Sequence, residues 1–176
     1  MAAEIERRFA LKSNDLSFLD DIVGTPIIQG YLHEDGMTSR IRIAGDIGYL
    51  TLKRKVSALA KAKSKPKNRK RGFARKEFEY SIPLADAKDL LLNHTVGRLV
   101  TKTRFRIPYA GNIWEVDVFS GFLKGLVIAE IELEGEKQKF RKPDWVGAEL
   151  TGIKELSNKN LSRAKKAPLL TTLLAA

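Results

Sequence analysis

The stretch KTRFRIPYAGNIWEVDVFSG, residues 102–121, decides the fold. Lys102, Arg104 and Arg106 occupy every second position, the turn AGN follows, and Glu115 and Asp117 repeat the spacing with the opposite sign. Successive side chains on a strand point to opposite faces, so residues at i and i+2 share one. Two strands are therefore predicted, at about 99–109 and 112–119, each with an ionic face and, through Phe105 and Val116, an oily one. The same pattern recurs outward along the chain. Glu4/Glu6, Glu77/Glu79 and Glu130/Glu132/Glu134 form acidic stripes, Arg40/Arg42 and Lys53/Lys55 basic ones, with Ile5, Phe78, Ile131 and Ile41 among the residues between. A half-solvated antiparallel sheet also alternates, but its wet face mixes signs, whereas here like charges sit side by side within each strand. Divalent cations would compensate the carboxylates and a polyanion the Arg and Lys side chains.

Further strands are predicted at 3–11, 26–33, 38–43, 48–56, 74–82 and 126–134, with AGDIG and SGFLKG as turns. Helices are expected over 14–23, capped by Ser13 or Asn14, over LADAKDLLLNHTVG up to Gly97, and over SNKNLSRAKK, capped by Ser157. PDWVGAEL reads as a short helical turn. The expected fold class is α+β: a closed eight-stranded antiparallel β-barrel, a tunnel with a charged lumen and a few flanking helices.

The 176 residues suit one domain, taken as 1–165, with a basic loop insertion at about 56–74 and a C-terminal tail at 166–176 whose leucines dock on the barrel or a partner. Cysteine is absent, which excludes disulfides and thiolate sites, and His33 and His94 are too few for a multi-histidine zinc site. No apolar run approaches a membrane span and the N-terminus has no apolar leader, so a soluble, cytoplasmic protein is expected. The net charge of +11 has a local origin: residues 53–76 hold 12 cations and no acid, leaving 20 cations against 21 acids elsewhere. That segment, with Pro66 and Gly72, reads as a loop able to contact a polyanion. The apolar outer faces make a homodimer plausible. Trp114 and Trp145 read as packing residues rather than stacking platforms.

Nine motifs, in register, resemble the CYTH domain. They are EIERRF (4–9), QGYL (29–32), RIR (40–42), YLTLK (49–53), EFEYSIP (77–83), KTRFRI (102–107), WEVDVFSG (114–121), GLVIAEIEL (125–133) and W-x-G-x-E-x-T (145–151). This triphosphate tunnel metalloenzyme superfamily groups class IV adenylate cyclases, thiamine triphosphatases and inorganic triphosphatases. The resemblance implies a tunnel that binds a linear triphosphate through Mg²⁺ or Mn²⁺. It implies metal ligation by Glu4, Glu6, Glu115, Asp117, Glu130 and Glu132. Phosphate binding falls to Arg8, Arg40, Arg42, Lys53, Lys102 and Arg104, with the hydroxyl of Tyr31 near the tunnel mouth. Glu6 or Glu132 would orient or deprotonate the attacking water.

The family signature E-x-E-x-K reads Glu4, Glu6, Arg8 here. Arginine neutralises a phosphate but is a poor proton donor, so Arg8 is where catalysis departs from the pattern. The leading expectation is metal-dependent hydrolysis of inorganic tripolyphosphate to pyrophosphate and phosphate. A class IV adenylate cyclase, a thiamine triphosphatase and a non-catalytic polyphosphate- or nucleotide-binding module are the alternatives.

Overall fold

A computed structural model describes residues 5–32, 37–55, 75–135 and 137–174. Glu4, His33 and the basic loop at 56–74 lie outside the described residues. One antiparallel sheet carries β1 (Ile5–Leu11), β2 (Thr25–Leu32), β3 (Met37–Ala44), β4 (Ile47–Lys55), β5 (Arg75–Ile82), β6 (Thr95–Tyr109), β7 (Asn112–Phe119), β8 (Val127–Leu133) and β9 (Val146–Glu149). Their order is β5-β4-β3-β2-β6-β7-β8-β1-β9. The predicted strands are all present, and a ninth, β9, pairs with β1 where PDWVGAEL was expected to make a helical turn. The reason is the open edge of β1: its Arg8 carbonyl accepts from Leu150 N at 2.8 Å, and Lys12 N donates to the Trp145 carbonyl at 3.0 Å. Among the described residues no ladder joins β5 to β9, so the α+β antiparallel architecture stands without barrel closure.

The helix predicted over 14–23 is a single 3-10 turn, Ser17–Leu19. Short polar side chains divert it: Ser13 Oγ accepts from Asp15 N, and Asp15 Oδ1 accepts from Ser17 N at 3.0 Å. Helix α1 (Leu84–Asn93) follows Pro83 as expected but ends at His94, not Gly97, because Thr95 already begins β6 and donates its hydroxyl to the Leu91 carbonyl at 2.9 Å. The C-terminal helices are short: α2 (Asn158–Leu161), capped by Ser157 Oγ, and α3 (Leu170–Leu174). Among the described residues no helix is long and apolar enough to cross a membrane.

The outer face of the sheet is covered in two halves. Over β2, β3 and β4, α1 presses Ala87 and Leu91 onto Ile28, Ile41, Ile43 and Leu50. Gly48 permits this approach, since a Cβ there would stand 2.7 Å from that of Ala87. Over β1, β7 and β8, the segments at 16–22 and 140–146 pack on Phe9, Val116, Ile131 and the fully buried Trp114. Trp145 meets Trp114 edge-on at 5.8 Å and stacks on Phe18 at 4.8 Å, so both tryptophans are packing residues.

Among the described residues the inner face carries an apolar cluster at one end. Ala10, Val100, Phe119 and Ile128, from four strands, gather under Leu150, Leu156 and Leu161, and the tail adds Ala167, Leu170 and Leu173. The same C-terminal segment touches widely separated strands: Arg8 Nη1 on β1 donates to the Leu156 carbonyl at 3.3 Å, and Lys159 Nζ donates to Thr38 Oγ1 on β3 at 3.4 Å. In a flat sheet β1 and β3, five strand spacings apart in the order, would stand roughly 24 Å from each other. Residues 156–159 reach both because the sheet curls around them.

Candidate active site

Register puts every described member of the predicted set on this inner face. Glu6 stands opposite Glu132 and Arg8 opposite Glu130; Glu115 opposite Glu130; Arg104 opposite Asp117 and Arg106 opposite Glu115. Arg42 faces Gln29, Arg40 faces Tyr31, and Lys53 faces Glu77. Within β3, β6, β7 and β8 the inner-face charges are alike, but β1 carries both Glu6 and Arg8, and across strands many charges are opposite. Much of the compensation expected from outside the chain is thus internal.

On β1, β6, β7 and β8 the compensation is dense. Arg104 is its hub: Nε donates to Asp117 Oδ1 at 2.7 Å, Nη2 to Asp117 Oδ2 and Glu130 Oε2, each at 2.7 Å, and Nη1 to Glu115. Lys102, its side chain wholly buried, pairs with Asp117. Arg8 pairs with Glu6 and, at 3.1 Å, with Glu130. Burial opposes the charge on Asp117, yet Lys102 and Arg104 hold its carboxyl below the usual range. Burial likewise opposes Glu6, and the charge of Arg8 overcomes it. Glu130 goes the other way, pushed up to about 7 by burial and by the charges of Glu6 and Asp117.

On β2 to β5 the compensation is incomplete. Arg40 Nη2 donates to Thr51 Oγ1 at 3.0 Å and to Glu79 Oε2 at 3.1 Å, and Thr51 donates to the same oxygen at 2.7 Å. Lys53 pairs with Glu77 at 2.7 Å. Arg42 has no ion pair among the described residues, and its buried Nε has no hydrogen-bond partner. Burial, with repulsion from Arg40 and Arg104, drops it to about 10. Tyr31 is buried, its hydroxyl 3.4 Å from Gln29 Nε2.

Beyond the hub, Glu6, Glu115, Glu130, Glu132 and Glu134 line a cavity of about 290 Å³ together with Arg106, Asn112 and Gln138. Among the described residues no three of these carboxylates converge as a ready metal cluster; Arg8, Arg104 and Arg106 engage Glu6, Glu115 and Glu130. The donor set still fits a hard divalent cation: it is all oxygen, and two cross-strand pairs, Glu6/Glu132 and Glu115/Glu130, oppose like charges. Asp117, 1% exposed and held by Lys102 and Arg104, sits behind this set rather than in it.

Residues 2–167 match the CYTH domain. The chain belongs to the CYTH domain family. An inorganic triphosphatase of Acetivibrio thermocellus is 37% identical over 162 residues, covering 92% of this chain and 94% of the relative. An inorganic triphosphatase of Nitrosomonas europaea is 33% identical over 166 residues, covering 90% and 96%. A crystal structure of an inorganic triphosphatase superposes with a TM-score of 0.64 at 29% identity, over 95% of this CYTH chain and 99% of the other.

Sequence reasoning left three inner-face residues of this CYTH chain without a role: Gln29, Thr51 and Glu79. Gln29 shares the alternation phase of the assigned Tyr31 and Thr51 that of Lys53, while Glu79 forms one acidic stripe with Glu77, which was equally without a role. The signal was present for each. What sequence lacked was the register that stacks Arg40, Thr51 and Glu79 in one row across β3, β4 and β5.

Proposed function

We propose that this CYTH protein hydrolyses inorganic tripolyphosphate to pyrophosphate and phosphate, with the curled sheet enclosing the substrate as a tunnel. The observation that carries this reading is Arg42, a buried cation without an ion pair among the described residues, whose Nε–H has no partner and which Arg40 and Arg104 repel more than Glu79 and Asp117 attract. Such a group is stabilised by a polyanion, and a planar guanidinium suits phosphate oxygens. The relatives named as inorganic triphosphatases support the same substrate.

Arg42, Arg40 and Lys53 grip the phosphates, while Lys102 and Arg104 keep the acidic strands in register. Glu6, Glu115, Glu130 and Glu132, with Glu4 next in sequence, would hold Mg²⁺ or Mn²⁺. When bound, that ion supplies charge neutralisation and an acidified water. Glu6 and Glu132, directly opposite each other, orient the water in line with a terminal phosphorus. The new P–O bond forms as the bridging one breaks, the water's proton passes to the carboxylate of Glu6 or Glu132, and pyrophosphate leaves with its charge met by Arg42 and Arg40. Arg8 contributes charge beside Glu6 and Glu130.

Purified protein incubated with tripolyphosphate, ATP or thiamine triphosphate, with Mg²⁺ or Mn²⁺, tests the reading. Tripolyphosphate should be the fastest substrate, yielding phosphate and pyrophosphate. Glu6→Gln and Glu132→Gln should each abolish turnover while the protein stays folded. Cyclic AMP as the main product, preferential cleavage of thiamine triphosphate, or tight binding without turnover would each sink it.

A further inference from the structure

Gln29 is fully buried on the inner face, and its Oε1 has no hydrogen-bond partner among the described residues. Arg42, directly opposite across the β2–β3 ladder, carries a buried Nε–H that is also without a partner. One is an acceptor and the other a donor. Cross-strand partners share a face, with Cβ atoms within reach of a side-chain hydrogen bond. The amide is already oriented for this: Nε2 is directed to the Tyr31 hydroxyl at 3.4 Å, which leaves the oxygen for another donor. The backbone is fixed there as well. The β2–β6 register shifts between Gln29 and Tyr31, and Gly30 lies so close to β6 that a Cβ would stand 2.5 Å from Thr95 Cγ2.

We propose that Gln29 is the positioning residue of Arg42: when a triphosphate engages the guanidinium, Gln29 Oε1 accepts the Arg42 Nε–H. This rests on the reading of Arg42 as a phosphate ligand. An arginine held at Nε has its four Nη hydrogens left for phosphate oxygens and loses the rotation that would spoil a forked contact. Ligand binding thereby satisfies two groups that the free protein leaves unmet, so the site discriminates in favour of an anion large enough to pull the guanidinium into place. Gln29 does not touch the reacting atoms; it acts through Arg42.

The test is a double-mutant cycle on tripolyphosphate binding, measured by calorimetry without turnover, in wild type, Gln29→Met, Arg42→Met and the double variant. Methionine keeps the glutamine's length and removes the acceptor. Gln29→Met should weaken binding about tenfold, as expected for loss of one charge-assisted hydrogen bond, and raise KM with kcat little changed. Its melting temperature should match or exceed wild type, because a buried unmet carbonyl is gone. In the Arg42→Met background the second substitution should add nothing. Independent, multiplying effects, or wild-type binding by Gln29→Met beside a weakened Arg42→Met, overturn this inference alone. Wild-type binding by Arg42→Met overturns the phosphate reading and this inference with it. Should Gln29→Met fail to melt cooperatively, proton exchange of the Arg42 Nε–H in the wild-type protein decides: tripolyphosphate should slow it, and unchanged exchange overturns the pairing.

Discussion

The two halves of the inner face treat charge oppositely. On β6, β7 and β8, Arg104 meets three carboxylates and Lys102 is buried against one of them. On β3, Arg42 meets none among the described residues. The first half is a finished ion network, expensive to desolvate yet satisfied; the second holds a charge in reserve. A residue's charge therefore does not reveal its part. Arg104 and Arg42 belong to equally regular stripes in the sequence, but one is met by three carboxylates and the other, among the described residues, makes no ion pair.

The sharpest way to break the comparison is to delete each cation. Arg104→Met removes the one cation shared by Asp117, Glu115 and Glu130, leaving each a single ion pair among the described residues, and should cost about 3–5 kcal/mol in urea denaturation. Arg42→Met should leave stability unchanged or raise it by about 1 kcal/mol, while abolishing tight tripolyphosphate binding. Equal losses of stability would erase the distinction.

Glu130 sharpens it through pH. Its folded-state value of about 7 lies above the ordinary carboxylate value of 4.5. Between those limits the native protein keeps a proton that the unfolded chain has released. Stability from this group is thus fully present below about pH 4.5 and is lost as pH rises through about 7, a difference of about 3 kcal/mol. Denaturation of metal-free protein at pH 5 and pH 8 should reveal that slope, and Glu130→Gln should flatten it.

Arg8 belongs to the finished half yet stands at the lysine position of the signature. Arg8→Lys gives up the Nε that joins Glu6 and Glu130 and the Nη1 contact to the Leu156 carbonyl, at about 1 kcal/mol of stability. In exchange it supplies a group able to donate a proton, and kcat should rise about tenfold. An unchanged kcat would mean that position 8 contributes charge only. The smallest effect is expected from deleting residues 57–72, which follow β4 and precede β5 in the sequence: kcat/KM for tripolyphosphate should stay within about twofold.

The alternation of charge in KTRFR and WEVDVF was enough to assign the strands and their shared face, because period two is a property of one strand alone; the candidate residues came from the resemblance to the CYTH domain. Pairing is a property of two. Nothing in the spacing of Lys102 and Asp117 revealed that they would neutralise each other out of reach of solvent, or that Arg42 would be opposite a glutamine. The helix missed at 14–23 and the strand missed at 146–149 have the same origin. In the first, Ser13 and Asp15 bonded to nearby backbone; in the second, a distant β1 edge recruited four residues with little strand pattern of their own.

The apolar cluster of Ala10, Val100, Phe119 and Ile128 beneath Leu150, Leu156 and Leu161 has a bearing on traffic. Under the proposed function, that hydrocarbon denies one end of the charged face to phosphate chains, so pyrophosphate released beside it would depart past the same cations that receive the next substrate, and compete with it.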